Sequence, residues 1–222
     1  MITGCATLLL TAGSLSAFID TARAQDTPRE QYVPVLCVTT GKHPVGEVIS
    51  VQVLFSTRED TRGLDIHFLN GPGRLSPKTQ SAIAQAIVRA ARVFGLSTDS
   101  WSIGLSVPYP RFTIEGDSLS AMVGLTVVAM AKGEAIPRHR IISGTVTSDG
   151  RIGPVGDVPL KVAAAYQAGL HMVLVPATSL DKGRRPHRTR VSSVRTVLQA
   201  YQALMAPPNP IAGHHRPEAD IR

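Results

Sequence analysis

The sequence predicts an α+β domain in which strands and helices alternate much as they do in α/β folds. The chain has 222 residues and is 43% hydrophobic, which is enough apolar material to bury the core of one domain. Segments with period-two apolar residues, typical of strands, alternate with segments whose apolar residues recur at helical spacing. We therefore expect a single domain over residues 30–205, built from a mixed sheet and packed helices.

The first half of this domain is predicted to hold four strands and one long helix. Apolar residues alternate from Leu64 to Phe68, as on one face of a strand. Ser76 and Pro77 are typical of a helix start, and Gly95 of a helix end. The predicted elements are strands at 33–39, 47–56, 63–69 and 101–107 and a helix at 76–95.

The second half is predicted to contain three helices and two strands. Gly169 ends the middle helix, and the last helix is expected to turn its apolar residues from Val194 to Leu204 inward. After Met205 no apolar periodicity remains, so we expect a disordered tail at 206–222. The predicted elements are helices at 117–132, 157–168 and 191–205 and strands at 139–147 and 171–175.

The N-terminus has the outline of a secretory signal peptide at residues 1–24. An apolar, small-residue stretch runs from Cys5 to Ile19, and Ala22-Arg23-Ala24 matches an A-x-A cleavage pattern, although no Lys or Arg precedes the stretch. Cleavage after Ala24 implies export to the periplasm or the exterior. An uncleaved segment implies an N-terminal membrane anchor instead.

Composition and charge exclude several classes of protein. With only two cysteines, the chain cannot form a disulfide framework or a cysteine metal cluster. It also lacks any run of 18 consecutive apolar residues, so a polytopic membrane protein is not predicted. No cofactor or metal site is predicted. The net charge of +7 is concentrated in the basic run 182–190, which we interpret as a solvated loop or as a surface for phosphates or an acidic partner. That run has no aromatic residue on which bases could stack.

The first segment with catalytic potential is Glu115-Gly116-Asp117-Ser118, just before an apolar helix. The free N–H groups and the dipole at a helix N-terminus favour negative charge, so an oxyanion could be held beside Ser118. The alternative is a purely structural role, since Asp117 and Ser118 are both good N-cap residues.

The second segment is the start of the helix that holds Lys161. Its neighbours are almost all apolar, and both desolvation and the helix dipole lower the pKa of a lysine placed there. A lysine that is neutral near pH 7 can take a proton from a serine hydroxyl. The alternative is a lysine whose amine extends to solvent from the helix edge.

Histidines offer two weaker candidates. His67 shares the outward face of its strand with Asp65, and an exposed strand pair is favoured over a Ser-His-Asp triad. His214 and His215 are adjacent in the tail and cannot complete a metal site alone.

Taken together, the two segments resemble the proteolytic domain of Lon proteases, the archaeal type especially. The resemblance rests on EGDS at 115–118, SGT at 143–145 and GRIGPVGDVPLK at 150–161, and it extends over about residues 44–204. It implies that Ser118 is a nucleophile and Lys161 its general base, 43 residues further on. It also implies peptide or unfolded-protein substrates and a ring-type homo-oligomer.

Two positions depart from the family pattern, and two acidic residues flank the serine. Ser143 replaces a threonine and keeps a hydroxyl that could hydrogen-bond the lysine. Asp157 replaces a glycine; it could cap the helix, or pair with Lys161 and raise the pKa of its amine. The resemblance further suggests that Glu115 or Asp117 orients or blocks the lysine in a resting state.

Two functions follow as hypotheses. The first is a serine endopeptidase with a Ser118–Lys161 dyad, independent of ATP on its own because the chain has no G-x₄-G-K-[ST] motif. The second is a catalytically silent module on the same scaffold that binds nucleic acid or an acidic partner through 182–190; for the peptidase, no nucleic-acid partner is expected. The presence of both dyad residues favours the peptidase, and whether a separate ATP-driven unfoldase acts with it is left open.

Overall fold

The computed structural model describes residues 28–179 and 189–207. Eleven strands and four α-helices lie in these ranges, and a short 3₁₀ turn at Ala177–Ser179 follows the tenth strand. In chain order they are β1 (Arg29–Val38), β2 (Gly46–Thr57), β3 (Asp65–Phe68), β4 (Arg74–Leu75), α1 (Pro77–Val93), β5 (Trp101–Ser106), β6 (Thr113–Ile114), α2 (Ser120–Ala131), β7 (Arg140–Ile142), β8 (Thr145–Val146), β9 (Ile152–Gly153), α3 (Val158–Gln167), β10 (Met172–Pro176), β11 (Arg190–Val194) and α4 (Val197–Met205).

The largest sheet has four strands in the order β1-β2-β5-β3. β2 is antiparallel to both of its neighbours, β1 and β5, whereas β3 pairs with β5 in parallel. Buried and less buried residues alternate along these strands, as expected when one face of a sheet packs on the core. The fully buried positions include Val33 and Val35 on β1 and Val51 and Val53 on β2, and the residue between each pair is partly exposed. The mixed sheet and packed helices confirm the predicted α+β class.

A second, three-stranded parallel sheet has the order β11-β10-β7, with β10 in the centre. Residues Val173–Val175 of β10 are buried on both faces, as expected of a central parallel strand. Helix α3 lies between β7 and β10 in the chain and packs on β1 and β2. This crossover places the N-terminus of α3 beside the β1–β2 hairpin.

Helix α2 passes through the middle of the domain. All its residues from Ser120 to Met130 are buried, as expected of a helix that is apolar all round. Gly124 allows it to lie close to α1, because a Cβ at that position would come 3.0 Å from the backbone of Ala86. The N-terminus of α2 is thus held at a fixed place in the core.

The last predicted helix begins later than the sequence suggested. Residues Arg190–Val194 form β11, which pairs with β10, and α4 begins only at Val197. Thr196 is the N-cap, and its side chain accepts a hydrogen bond from the N–H of Gln199. The prediction of a helix from residue 191 was wrong because β-branched Val191 and Val194 suit both a strand at the edge of the parallel sheet and a helical spacing.

Three regions of interest in the sequence lie outside the described residues. They are the predicted signal peptide at 1–24, most of the basic run at 182–190 and nearly all of the tail at 206–222. Within the described ranges, no helix has both the length and the apolar character needed to cross a bilayer.

Candidate active site

The loop that carries Ser118 is fixed through three consecutive carbonyl groups. These belong to Gly116, Asp117 and Ser118, and Gly116 has a φ of +104°, which favours glycine. The three carbonyls accept hydrogen bonds from Thr79 Oγ1 at 2.8 Å, from Ser120 N at 3.0 Å and from Gly144 N at 2.7 Å, respectively. Residues 115–119, which we call the nucleophile loop after the role that the family resemblance implies for Ser118, are therefore held from helix α1, from α2 and from the segment after β7.

The backbone N–H groups of this loop are left facing the opposite way. In a trans peptide the N–H points away from the preceding carbonyl, so anchoring the carbonyls of 116–118 directs the N–H groups of Asp117, Ser118 and Leu119 away from the anchors. Within the described residues no acceptor is bonded to these three N–H groups. Such free donors are suited to holding a negatively charged oxygen.

Neither Asp117 nor Ser118 caps helix α2. The helix begins at Ser120, its N-cap is Leu119, and no side chain bonds the N-cap turn. Instead, the N–H of Ala121 is bonded to the carbonyl of Gly144 at 3.0 Å. The capping alternative for Asp117 and Ser118 was wrong, because the segment after β7 takes the place of a capping side chain.

Lys161 and Ser118 are in direct contact. Lys161 Nζ donates a hydrogen bond of 3.0 Å to Ser118 Oγ. The lysine is only 5% exposed, whereas Ser118 is half-buried and open to solvent on one side. The structure therefore brings together the two residues that the sequence singled out, and it buries the lysine rather than extending it to solvent.

The surroundings of Lys161 lower the pKa of its amine from the ordinary value of 10.5. Burial is the main cause, since it penalises the charged form. Asp157, Cys37 and Asp117 act in the opposite direction through their negative charge. Burial also raises the pKa of the Cys37 thiol to about 11, so near neutral pH this thiol is uncharged and exerts little of that opposing effect.

Asp157 does not have the capping role expected of it. Its backbone is left-handed, with φ 57° and ψ 32°, and its side chain makes no capping bond to α3. It also forms no ion pair with Lys161 among the described residues, although its charge raises the pKa of the amine. An N-cap residue usually has an extended backbone from which its side chain reaches the first free N–H groups of the helix, and the left-handed backbone of Asp157 departs from that geometry.

Ser143 likewise makes no hydrogen bond to the lysine. Its side chain is buried at 1% exposure, and within the described part of the chain its Oγ atom has no hydrogen-bond partner. Its backbone N–H donates to the carbonyl of Leu174 at 3.0 Å, which ties the segment to β10. The prediction of a Ser143–Lys161 hydrogen bond was wrong. This segment instead contacts the nucleophile loop through the backbone of Gly144, whose N–H is bonded to the carbonyl of Ser118.

The two acidic residues that flank the serine are exposed. Asp117 acts on Lys161 only through its charge, and Glu115 has no such effect. Neither carboxylate accepts a hydrogen bond from the lysine in the described structure. Any orienting or blocking role for Glu115 or Asp117 stays a prediction.

Sequence reasoning missed two residues of this region. Thr79, fully buried in the first turn of α1, bonds the nucleophile loop, and Cys37 on β1 is close enough to Lys161 to affect its pKa. One feature of the sequence could have pointed to the threonine: it is a polar residue three positions after the helix-capping Ser76, on the side of the helix that is buried. No feature of the sequence pointed to the cysteine, because a cysteine in a strand resembles any other apolar strand residue.

The histidine candidates do not add a second site. His67 Nε2 and Asp65 Oδ2 are 2.9 Å apart on exposed side chains, as expected of a strand pair. In the described ranges no three His, Cys, Asp or Glu side chains cluster so as to hold a metal ion. His214 and His215 lie outside those ranges.

The fold and the site agree with a family comparison. The family model of the Lon protease (S16) C-terminal proteolytic domain matches residues 73–187, just over half of the chain. This range includes the nucleophile loop and all of α3. The chain belongs to the Lon proteolytic-domain family, and it therefore carries a protease domain.

Curated relatives support the same assignment. The chain is 26% identical to the archaeal Lon protease of Archaeoglobus fulgidus over 109 residues, which is 49% of this chain and 18% of the relative. It is 32% identical to the Lon protease of Mycolicibacterium smegmatis over 102 residues, 45% of this chain and 13% of that one. It is 24% identical to the Lon protease of Azorhizobium caulinodans over 230 residues, which is 94% of this chain and 25% of the relative. The chain thus matches a quarter or less of the length of these three relatives.

Proposed function

We propose that this protein is a serine endopeptidase that cleaves peptide bonds with a Ser118–Lys161 dyad. The observation that carries the proposal is the 3.0 Å hydrogen bond between Lys161 Nζ and Ser118 Oγ, made by a lysine that is 5% exposed. A nucleophile and a base within hydrogen-bond reach are the geometric requirement for covalent catalysis. The lowered pKa of the amine supports the base role, because only neutral lysine can accept a proton.

The acylation step follows from this geometry. Neutral Lys161 takes the hydroxyl proton of Ser118 as Oγ attacks the substrate carbonyl carbon, and the carbonyl oxygen becomes negatively charged. The free N–H groups of the nucleophile loop supply donors for that oxygen. When the tetrahedral intermediate collapses, Lys161 gives the proton to the leaving amine, and an ester to Ser118 remains.

Deacylation repeats the same proton movements with water. Lys161, neutral again, takes a proton from a water molecule that attacks the ester carbonyl. The second intermediate collapses by breaking the bond to Ser118 Oγ, which recovers the proton from the lysine. The peptide acid leaves, and both side chains return to their starting state.

The substrates that we propose are peptides and unfolded chains. Lon-type relatives are named as proteases, and the 222 residues contain no phosphate-binding G-x₄-G-K-[ST] motif that could use ATP. We therefore expect ATP to leave the rate of peptide hydrolysis unchanged for this chain. A ring-type homo-oligomer and export through residues 1–24 belong to the same proposal; they are tested by molecular mass in solution and by N-terminal sequencing of the mature protein.

Labelling with a fluorophosphonate probe tests the proposal directly. The wild-type protein should gain one adduct mass on Ser118, and Ser118→Ala should gain none. Ser148→Ala is the matched control, because Ser148 is exposed and outside the site. Labelling that persists in Ser118→Ala would mean that another residue is the nucleophile, whereas folded wild-type protein that neither is labelled nor cleaves peptides would favour a catalytically silent binding module instead.

A further inference from the structure

Of the three carbonyls that fix the nucleophile loop, only one is held by a side chain. The carbonyls of Asp117 and Ser118 are bonded by backbone N–H groups, whereas that of Gly116 is bonded by the hydroxyl of Thr79. A backbone N–H is removed only by proline, which also restricts the backbone, whereas the Thr79 hydroxyl can be removed without changing the backbone. This contact crosses from helix α1 to the loop, 37 residues further along the chain.

The hydroxyl of Thr79 is oriented by its neighbours. Thr79 is fully buried, and its Oγ1 lies 2.9 Å from Ser76 Oγ and 2.8 Å from the Gly116 carbonyl oxygen. The carbonyl oxygens beside Thr79 Oγ1 can only accept, so Thr79 donates its proton to one of them, and Ser76 Oγ, which also accepts from the N–H of Thr79 at 3.3 Å, donates its own proton to Thr79 Oγ1. The single proton of Thr79 is then donated to Gly116, or to the more distant carbonyl of Ile114 at 3.2 Å.

Short strands place this hydroxyl under the loop. β4 and β6 pair in parallel, with Leu75 opposite Ile114. The N–H of Ser76 also donates to the Ile114 carbonyl at 2.9 Å. The start of α1 is therefore fixed against the residues that lead into the nucleophile loop, which keeps Thr79 close to Gly116.

We propose that Thr79 is a positioning residue that aims the N–H of Asp117 toward the oxygen of the reacting carbonyl by holding the carbonyl of Gly116. The proposal rests on the proposed peptidase function. The Gly116–Asp117 peptide is planar, so fixing its carbonyl fixes the direction of the Asp117 N–H. Gly116 has no Cβ and a positive φ, so without the hydroxyl this peptide plane could rotate easily.

Thr79→Val removes the donor while it keeps the shape of the side chain. If the Thr79 hydroxyl positions an oxyanion donor, Thr79→Val should lower kcat by about 10-fold or more while KM changes little, because the donor acts in the transition state. The acidic limb of the pH profile should stay in place, since Lys161 is untouched. Thr79→Ser, which restores the hydroxyl, should recover most of the lost kcat.

Thr126→Val is the matched control. Thr126 is also fully buried, and its hydroxyl donates to the Met122 carbonyl inside helix α2 at 2.9 Å, away from the nucleophile loop. Its loss should leave kcat unchanged. Equal kcat values for Thr79→Val and Thr126→Val, in proteins that are equally folded by circular dichroism, would overturn the proposal.

A second readout separates this proposal from the proposed function. In ¹H–¹⁵N spectra of the folded proteins, Thr79→Val should shift the amide signal of Asp117, which follows the anchored carbonyl, and Thr126→Val should not. If wild-type protein does not cleave peptides but the Asp117 signal shifts, the peptidase function fails and the anchor stands. An unshifted Asp117 signal contradicts the anchor whatever the activity.

Discussion

Ser118 and Lys161 meet at the N-termini of two different helices. Ser118 lies two residues before α2, Lys161 lies in the first turn of α3, and their Oγ and Nζ atoms are 3.0 Å apart. The positive ends of two helix dipoles therefore converge on one place. That field favours a developing oxyanion and disfavours a charged lysine, which is the combination that a serine–lysine dyad requires.

The dyad predicts a distinctive pattern of loss. Ser118→Ala and Lys161→Ala should each lower peptide hydrolysis by at least about 10³-fold, and the double variant should be little worse than either, because the two residues act as one unit. The measurement is kcat/KM on a fluorogenic peptide, with folding checked by circular dichroism. Substantial turnover by Lys161→Ala would mean that another group is the base.

The rate should rise with pH through an acidic limb set by Lys161. Its pKa lies below the ordinary 10.5 because of burial, so the active neutral form accumulates as pH increases through the lowered value. Asp157 opposes this lowering. Asp157→Asn removes the charge and tolerates the left-handed backbone, and it should shift the limb to lower pH. The check is kcat/KM from pH 5 to 10 in both proteins; an unmoved limb argues that Lys161 does not control it.

Replacing the buried lysine should stabilise the fold. In the window between the lowered pKa and about 10.4, the unfolded chain binds more protons at Lys161 than the folded one, so stability rises with pH there. Below that window the cost of burying the charge applies in full. Lys161→Met should therefore raise the free energy of unfolding by on the order of 1 kcal/mol near pH 6, and by less near pH 10. Urea unfolding at the two pH values measures it; a gain that grows with pH would contradict the argument.

Arg140 is expected to be important for stability rather than for catalysis. It is 7% exposed, and its Nη1 donates to the carbonyl of Leu204 at 2.6 Å and to that of Ala203 at 3.4 Å, at the C-terminal end of α4. A charged donor there satisfies the last carbonyls and the helix dipole. Arg140→Met should cost about 2 kcal/mol in urea unfolding, and exposed Arg138→Met should cost little. Equal losses of unfolding free energy in the two variants would indicate that the buried hydrogen bonds of Arg140 do not contribute to stability.

Much of this fold could be predicted from the sequence, because its patterns are local. The ends of α1 were predicted to within two residues from Ser76, Pro77 and Gly95. The alternation of apolar and polar residues likewise predicted β1 and β2. β11 could not be predicted, since pairing with β10 overrode a helical spacing. In the site, Ser118 and Lys161 were singled out by the resemblance of their two segments to the Lon proteolytic domain, because each residue taken alone also fitted a structural role. The orphaned hydroxyl of Ser143 and the left-handed backbone of Asp157 depend on tertiary packing, which residue types do not encode.

Gly46 connects the lysine helix to the β1–β2 hairpin. A Cβ at this position would come 2.2 Å from the carbonyl oxygen of Leu160, so the strand and the helix touch backbone to backbone one residue before Lys161. The hairpin beyond it is closed by bonds between Thr39 and Val45 and ends in an exposed turn. The exposed turn and the helix that carries Lys161 therefore share a direct backbone contact. A larger residue at position 46 would displace the helix next to Lys161, so the separation of Lys161 and Ser118 depends on a glycine in a strand that contains neither of them.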